Sequence, residues 1–424
     1  MYLSMKPMRD DERLVLDTID VDGLVNYLCE LISFPSVGGQ ESPAQRNIAA
    51  KMGILGLGVE TWDIDFEKLR DHPSFSMPIE RKEGIGVVGS YGEGNGRSLI
   101  VNGHIDVVSP GEESTWRYPP WKGTVANGRV YGRGSSDMKG GIVAALYAIK
   151  TIVDSGVPLR GRVMLETVIG EEDGGVGALD AVLRGYKADA AIVPEPSELS
   201  AVPAHAGVMA FRVTVQGKAA HASLRTDGVS AIDKFLPIYE ALKRLETERN
   251  ARISDPLYAG YDIPSPLSIG KIVGGEWPGT VPESLYFEGR IGVHTDETCD
   301  KVKKQLESAV KKAADADPWL KAHKPRIDWN GYRFDPAKIP ANHPIMETIK
   351  AAYSDVAGHT PKVEGKTYSS DMRLLVNLGS TPTMIFGPGE LREAHSANES
   401  VSIENLEAAA KTYALAILRW CNQR

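Results

Sequence analysis

Five short stretches carry side chains that bind metals or move protons. "NGHIDVV" supplies His104 and Asp106, "SSDMKGG" supplies Asp137, and "VIGEEDGG" supplies Glu171 and Glu172. "VPEPS" supplies Glu195 and "LREAHSANE" supplies His395. Two imidazoles and several carboxylates without a thiolate suit Zn²⁺, with Co²⁺ or Mn²⁺ as alternatives. The ligands are too many for one tetrahedral ion. They suffice for two ions sharing a bridging carboxylate, a pairing at roughly 3.5–4 Å that activates water. Asp106 can accept the other ring N–H of His104 and fix its tautomer. Taken singly, each residue has an ordinary reading. Asp137 would cap a helix, His104 would be a core histidine, Glu195 a turn residue between prolines, His395 a loop histidine, and Glu171 and Glu172 a solvated acidic turn. One shared site explains them together. Three consecutive carboxylates, ending in Asp173, repel one another unless a cation is near. Adjacent residues in an irregular turn point apart, so one glutamate can bind metal while its neighbour reaches the attacking water. Asp173 is left as structural.

These residues need elements that bring them together. "SLIVNGHIDVV" (98–108), "GRVMLETVIG" (161–170), "ADAAIVPEP" (188–196) and "TPTMIFGPG" (381–389) read as strands running into loops. Residues 137–156 and 403–422 read as helices. Alternating strands and helices predict an α/β fold with a mostly parallel sheet flanked by helices. Ligands of such sheets lie beyond the carboxyl ends of the strands, where all these residues fall. The middle of the chain has another rhythm. Strand 207–217, helix 230–250, strands "PLSIGKIVGG" and "SLYFEGRIGVH", helix 297–316 and strand "PRIDWNGYRF" give the order β-α-β-β-α-β, a ferredoxin-like unit. The expected organisation is a discontinuous metal-binding domain, 1–206 and 333–424, interrupted by an inserted domain, 207–332.

Composition agrees with a soluble enzyme. The chain has 424 residues, enough for two domains, and a net charge of −8 that argues against a nucleic-acid partner. Cys29, Cys299 and Cys421 are far apart and form no CxxC, so neither a disulfide framework nor a thiolate cluster is expected. The first residues lack the apolar run of a signal peptide, and no window is apolar over the length of a membrane span. A cytoplasmic location is expected.

In family order, "NGHIDVV", "WKGTVANGRVYGRGSSDMKGG", "GEEDGG", "VPEPS", "GKAAHAS", "GVSAIDK" and "FGPGELREAHSANESVSIENL" resemble the dinuclear zinc amidohydrolases and exopeptidases. That family includes acetylornithine deacetylase, succinyl-diaminopimelate desuccinylase, aminoacylase and glutamate carboxypeptidase. The resemblance spans about three hundred residues and includes the inserted unit. It implies a zinc-exopeptidase-like catalytic domain with two Zn²⁺ per chain. His104 and Glu195 would hold one metal, Glu172 and His395 the other, and Asp137 would bridge them, often beside a cis peptide bond in this family. Glu171 would be the general base. His221 of "GKAAHAS" would reach the active site of a partner subunit, implying a homodimer through the inserted domain. Arg290 falls where relatives bind a substrate carboxylate, and Arg225 offers a second guanidinium. The chain departs from relatives where substrate is held: Thr280 stands at an expected Asn, and Glu288 at the Asp of Asp-x-Arg.

The expected activity is hydrolysis of an amide C–N bond in a small carboxylate-bearing substrate, such as an N-acyl amino acid, with a metal-activated water and Glu171. An alternative keeps the site and makes the protein an aminohydrolase releasing ammonia from a small amino-carboxylate. A binding protein with a degenerate site is disfavoured, because every ligand candidate and Glu171 are present.

Overall fold

The computed structural model describes residues 8–329 and 331–423. The leading seven residues, part of the stretch read as lacking a signal sequence, and Asn330, within the expected strand 325–334, lie outside the described residues. The chain divides into two compact units. One runs to Ala204 and resumes with Lys338–Glu364 and from Ser370; the other comprises His205–Ala337 and Gly365–Ser369.

The first unit is built on a sheet of β1 (Gly58–Asp63), β2 (Ile85–Tyr91), β3 (Ser98–His104), β4 (Arg162–Val168), β5 (Ala190–Val193), β6 (Ala201–His205) and, after the second unit, a strand at Thr383–Ile385. Their order is β1-β2-β4-β3-β5, then Thr383–Ile385, then β6. The centre, from β4 to Thr383–Ile385, is parallel, and the flanking pairs are antiparallel. Central strands are apolar on both faces: Leu99, Ile100 and Val101 are fully buried, as are Ala190, Ala191 and Ile192. That is the pattern of a parallel sheet covered on both sides. Helix α1 (Gly140–Ser155) is buried continuously from Gly140 to Ile149 and packs against the closing helix at Ile403–Cys421. Ser402 starts the closing helix, its side chain accepting from Asn405 N–H.

The second unit carries β7 (Gly207–Gln216), β8 (Leu267–Gly274), β9 (Ser284–Val293) and β10 (Arg326–Asp328), in the order β8-β9-β7-β10, all antiparallel. In β7, Phe211, Val213 and Val215 face the core while Arg212 and Gln216 face out. Over the inner face lie α2 (Ala231–Asn250) and α3 (Cys299–Asp315). Both have hydroxyl caps: Ser230 accepts from Asp233 N–H and Thr298 from Lys301 N–H. The expected strand 325–334 is not continuous. It pairs with β7 at Arg326–Asp328 and again at Arg333–Phe334. Among the described residues no helix is long and apolar enough to cross a membrane.

Candidate metal centre and catalytic site

At the carboxyl end of β3 the chain leaves the sheet with His104 as its last paired residue. β4 ends at Val168 and turns through Glu171 and Glu172, and β5 ends at Val193, two residues before Glu195. Parallel neighbours therefore aim these three segments at one place. Asp137 comes from a different device. The chain makes an irregular turn over Ser135–Lys139 before α1, and Asp137 is non-helical there, with φ −124° and ψ 94°. The peptide bond from Asp137 to Met138 is cis. Helix α1 has Lys139 at its N-cap position, so Asp137 is not a capping residue. Its carboxylate is turned inward instead.

There it lies between two imidazoles. His104 Nε2 is 3.2 Å from Asp137 Oδ1, and His395 Nε2 is 3.3 Å from Asp137 Oδ2. Glu195 Oε1 stands 3.7 Å from His104 Nε2, and Glu172 Oε1 stands 2.9 Å from His395 Nε2. Each imidazole thus has its own carboxylate, and both share Asp137. Ligand atoms of His104, Glu171 and Glu195 lie within 4.8 Å of one another, as do those of His104, Asp137 and Glu172. His104 and Glu195 are buried, whereas the side chain of His395 is 52% exposed, leaving one side of the cluster open.

The electrostatics of the cluster suit a cation. Burial first, then the charges of Glu195 and Asp371, pushes the Glu171 carboxyl well above its ordinary range. Burial and Asp137 push Glu195 and Glu172 up as well. Burial opposes ionisation of Asp137, yet the two histidines hold its carboxyl well below the ordinary range. Hydrogen bonds to Asp137 and Glu172 raise the His395 imidazole to about 10. Excess buried negative charge drawn around two imidazoles is the environment a cation relieves. The oxygen and nitrogen donor set fits a divalent metal, and the free cysteines are not part of it.

Asp106 differs from expectation in its contacts. Its backbone carbonyl, not its carboxylate, meets His104 Nδ1 at 2.9 Å, with Oδ1 at 3.8 Å. The carboxylate instead accepts the backbone N–H groups of Glu171 (3.3 Å) and Glu172 (3.1 Å). The carbonyl still fixes the His104 tautomer, with the proton on Nδ1 and Nε2 facing the cluster. Asp173 turns away to an ion pair with Arg81, each 2.7 Å bridge of which, to Asp173 and to Glu41, is buried.

Two residues escaped sequence reasoning. Arg81, in "IERKEG", has no local signal, since its partners lie 40 and 92 residues away. Asp371 lies in "YSSDMR"; it is buried, and neither carboxylate oxygen has a hydrogen-bond partner among the described residues.

The remaining candidates lie in the second unit. His221 and Thr280 form a backbone bridge, so the structure brings these two together. Ser223 N–H donates to His221 Nδ1 at 3.2 Å. Arg225 is exposed in the short turn that follows. Arg290 is apart from them, on the outer face of β9, opposite Ala210 and Ser268. It lines an open groove of about 760 Å³ with Arg212, Lys271, Glu288 and Tyr332. Glu288 is engaged there by Arg212 and by Lys271 at 3.4 Å.

Known proteins resemble this chain over nearly its whole length. Residues 100–419 match the model of peptidase family M20/M25/M40. An N-formyl-4-amino-5-aminomethyl-2-methylpyrimidine deformylase of Bacillus subtilis (strain 168) is 30% identical over 89% of each chain. An acetylornithine deacetylase of Vibrio cholerae is 28% identical over 82% of this chain and 88% of its own. Among solved structures, a tripeptidase from Staphylococcus aureus superposes with a TM-score of 0.75 at 22% identity, covering 96% of this chain and 100% of its own.

Proposed function

The chain belongs to peptidase family M20/M25/M40, and from that premise we propose that it hydrolyses the amide C–N bond of a small N-acyl substrate at a two-metal site. The single observation that carries this reading is Asp137, whose two oxygens face two different histidines, each with its own carboxylate. His104 and Glu195 would hold one ion, Glu172 and His395 the other, and Asp137 both. Zn²⁺ suits the donors best, with Co²⁺ or Mn²⁺ as alternatives. Bound ions of this kind lower the pKa of water and polarise a carbonyl oxygen.

The protein's own part is proton handling and orientation. Glu171 is buried, with its carboxylate within 4.8 Å of ligand atoms of Glu195 and His104. In this reading it stays off the metals, because His104, Glu195, Glu172, His395 and Asp137 already supply two terminal ligands per ion and a bridge. Burial and the neighbouring carboxylates of Glu195 and Asp371 favour its protonated form, which suits a group that takes up a proton from the attacking water. It then gives that proton to the departing amine nitrogen, so the amide breaks as a carboxylic acid and an amine. The turn that carries it is fixed by Asp106 through two backbone N–H groups. His221, from the second unit of a partner chain, would donate to the oxyanion. Arg225 and Thr280, close in the chain to His221 or bridged to it, or Arg290 from its separate groove, would recognise a carboxylate on the substrate.

Glu171→Gln tests this directly. Turnover should fall by about 10²–10⁴-fold or more while bound metal stays unchanged. Loss of metal in Glu171→Gln, together with its retention in Glu172→Gln, would reverse their roles. The substrate class is tested by a panel containing N-formyl-4-amino-5-aminomethyl-2-methylpyrimidine, N-acetylornithine and N-succinyl-diaminopimelate. Release of ammonia, without free acid, from small amino-carboxylates would replace amide hydrolysis with aminohydrolase chemistry.

A further inference from the structure

We propose that Glu399 is a positioning residue that sets the bridging carboxylate of Asp137 and couples the two loops carrying Asp137 and His395. The inference rests on the metal-site reading above.

Glu399 is fully buried, a costly place for a carboxylate unless its oxygens are satisfied. They are satisfied by the segment that carries Asp137. Oε1 accepts two consecutive backbone N–H groups, from Ser136 at 2.9 Å and from Asp137 at 3.0 Å. Oε2 accepts from Arg133 Nη1 at 2.6 Å. The main chain adds to this, since Gly132 N–H donates to the Glu399 carbonyl at 2.9 Å. Ser136 extends the clamp: its hydroxyl donates to the Glu390 carbonyl at 3.1 Å and accepts Glu390 N–H at 2.8 Å.

The geometry matters because Asp137 sits in neither helix nor strand. No ladder of backbone bonds fixes its N–H, so a side chain must. Two peptide planes held by one oxygen set the direction of the Asp137 Cα–Cβ bond, and with it the reach of each oxygen to a different histidine. Glu399 is also four residues after His395 on the same loop. One carboxylate therefore joins the bridging ligand to the loop of a terminal ligand, and neither can shift without the other.

The test reads metal binding rather than turnover. Wild type, Glu399→Ala, Glu399→Asp and Glu399→Gln are stripped, and Zn²⁺ affinity is measured by competition with a chromogenic chelator, with thermal unfolding of the metal-free proteins alongside. Glu399→Asp keeps the charge but is one methylene too short to reach both N–H groups and Arg133. Glu399→Gln keeps one oxygen for the two N–H groups but turns an amide donor toward Arg133. Positioning predicts that Ala and Asp weaken Zn²⁺ binding about 10–100-fold and that Gln lies between wild type and Ala. If Ala fails to fold, Asp carries the test. Wild-type affinity in Asp would overturn the proposal. A wild-type protein that binds no Zn²⁺, Co²⁺ or Mn²⁺ would instead remove the metal site itself.

Discussion

Glu166 and Glu171 are buried carboxylates five residues apart on one strand and the turn that follows, and their surroundings give them different tasks. Glu171 lies among charges that belong to the site. Glu166 has Asn102 on the neighbouring strand, which donates to it at 3.0 Å, while its Oε1 has no hydrogen-bond partner among the described residues. Burial pushes the Glu166 carboxyl from 4.5 up to about 7. The folded protein thus holds this proton where the unfolded chain has lost it. Stability from this group is undiminished below the unfolded value and falls as pH rises from 4.5 toward 7. The shift corresponds to a cost of up to about 3 kcal/mol above that window. Glu166→Gln should therefore raise the melting temperature at pH 8 and flatten its decline between these values. A variant whose melting temperature falls in parallel with wild type over the same range would show that Glu166 is not the titrating group. This residue's burial cost was not legible beforehand, because one glutamate in an apolar strand reads equally well as the polar side of an edge.

The elements that build the site were legible where strand ends coincide with glycine and proline. "NGH", "VIGEE" and "VPEP" each mark a strand running out of the sheet, and the parallel register places their ends side by side. Contacts between distant turns were not legible. The Glu171–Gly175 turn is gripped from three directions. Asp106 takes two of its N–H groups, Arg81 pairs with Asp173, and Arg373 donates to the Gly174 carbonyl at 2.7 Å. Gly175 completes it with φ +78°, where a Cβ would come within 2.4 Å of Asp371 Oδ1. Sequence proximity suggested that the Asp106 carboxylate would serve His104; the N–H groups that claim it are 65 and 66 residues away. Asp106→Asn replaces one accepting oxygen with a donor facing an N–H. It should lower kcat by about 10–100-fold through misplacement of Glu171, with bound metal largely kept and KM little changed. Loss of both metals from Asp106→Asn would mean that the aspartate supports His104 rather than the turn.

At the scale of the whole molecule the open question is how the second unit serves the reaction. Its β-α-β-β-α-β rhythm was readable because its helices are capped and its strands alternate, except where β10 breaks before Arg333. Strand β8 lies at the edge of the sheet, and Ile272, Val273 and the nearby Trp277 are exposed, Trp277 at 70%. An unpaired edge beside exposed apolar side chains is a surface that a second copy can cover. His221 is exposed, and its Nδ1 accepts a backbone N–H, so the neutral ring carries its proton on Nε2. That N–H is available to donate to an oxyanion, a contact typically worth about 10²–10³ in kcat. If His221 acts on the partner's site, His221→Ala and Glu171→Ala each leave every site in their own homodimer incomplete. A mixed dimer of the two contains one site with both residues intact. Mixing the inactive variants should therefore restore activity toward a quarter of the wild-type level, since about half of randomly assorted dimers are mixed and each has one working site of two. Subunit exchange confirmed by differently tagged chains, with no activity regained, would place His221 outside the partner's site. A wild-type chain that is fully active as a monomer would do so as well, because no second chain would then be present to lend the imidazole.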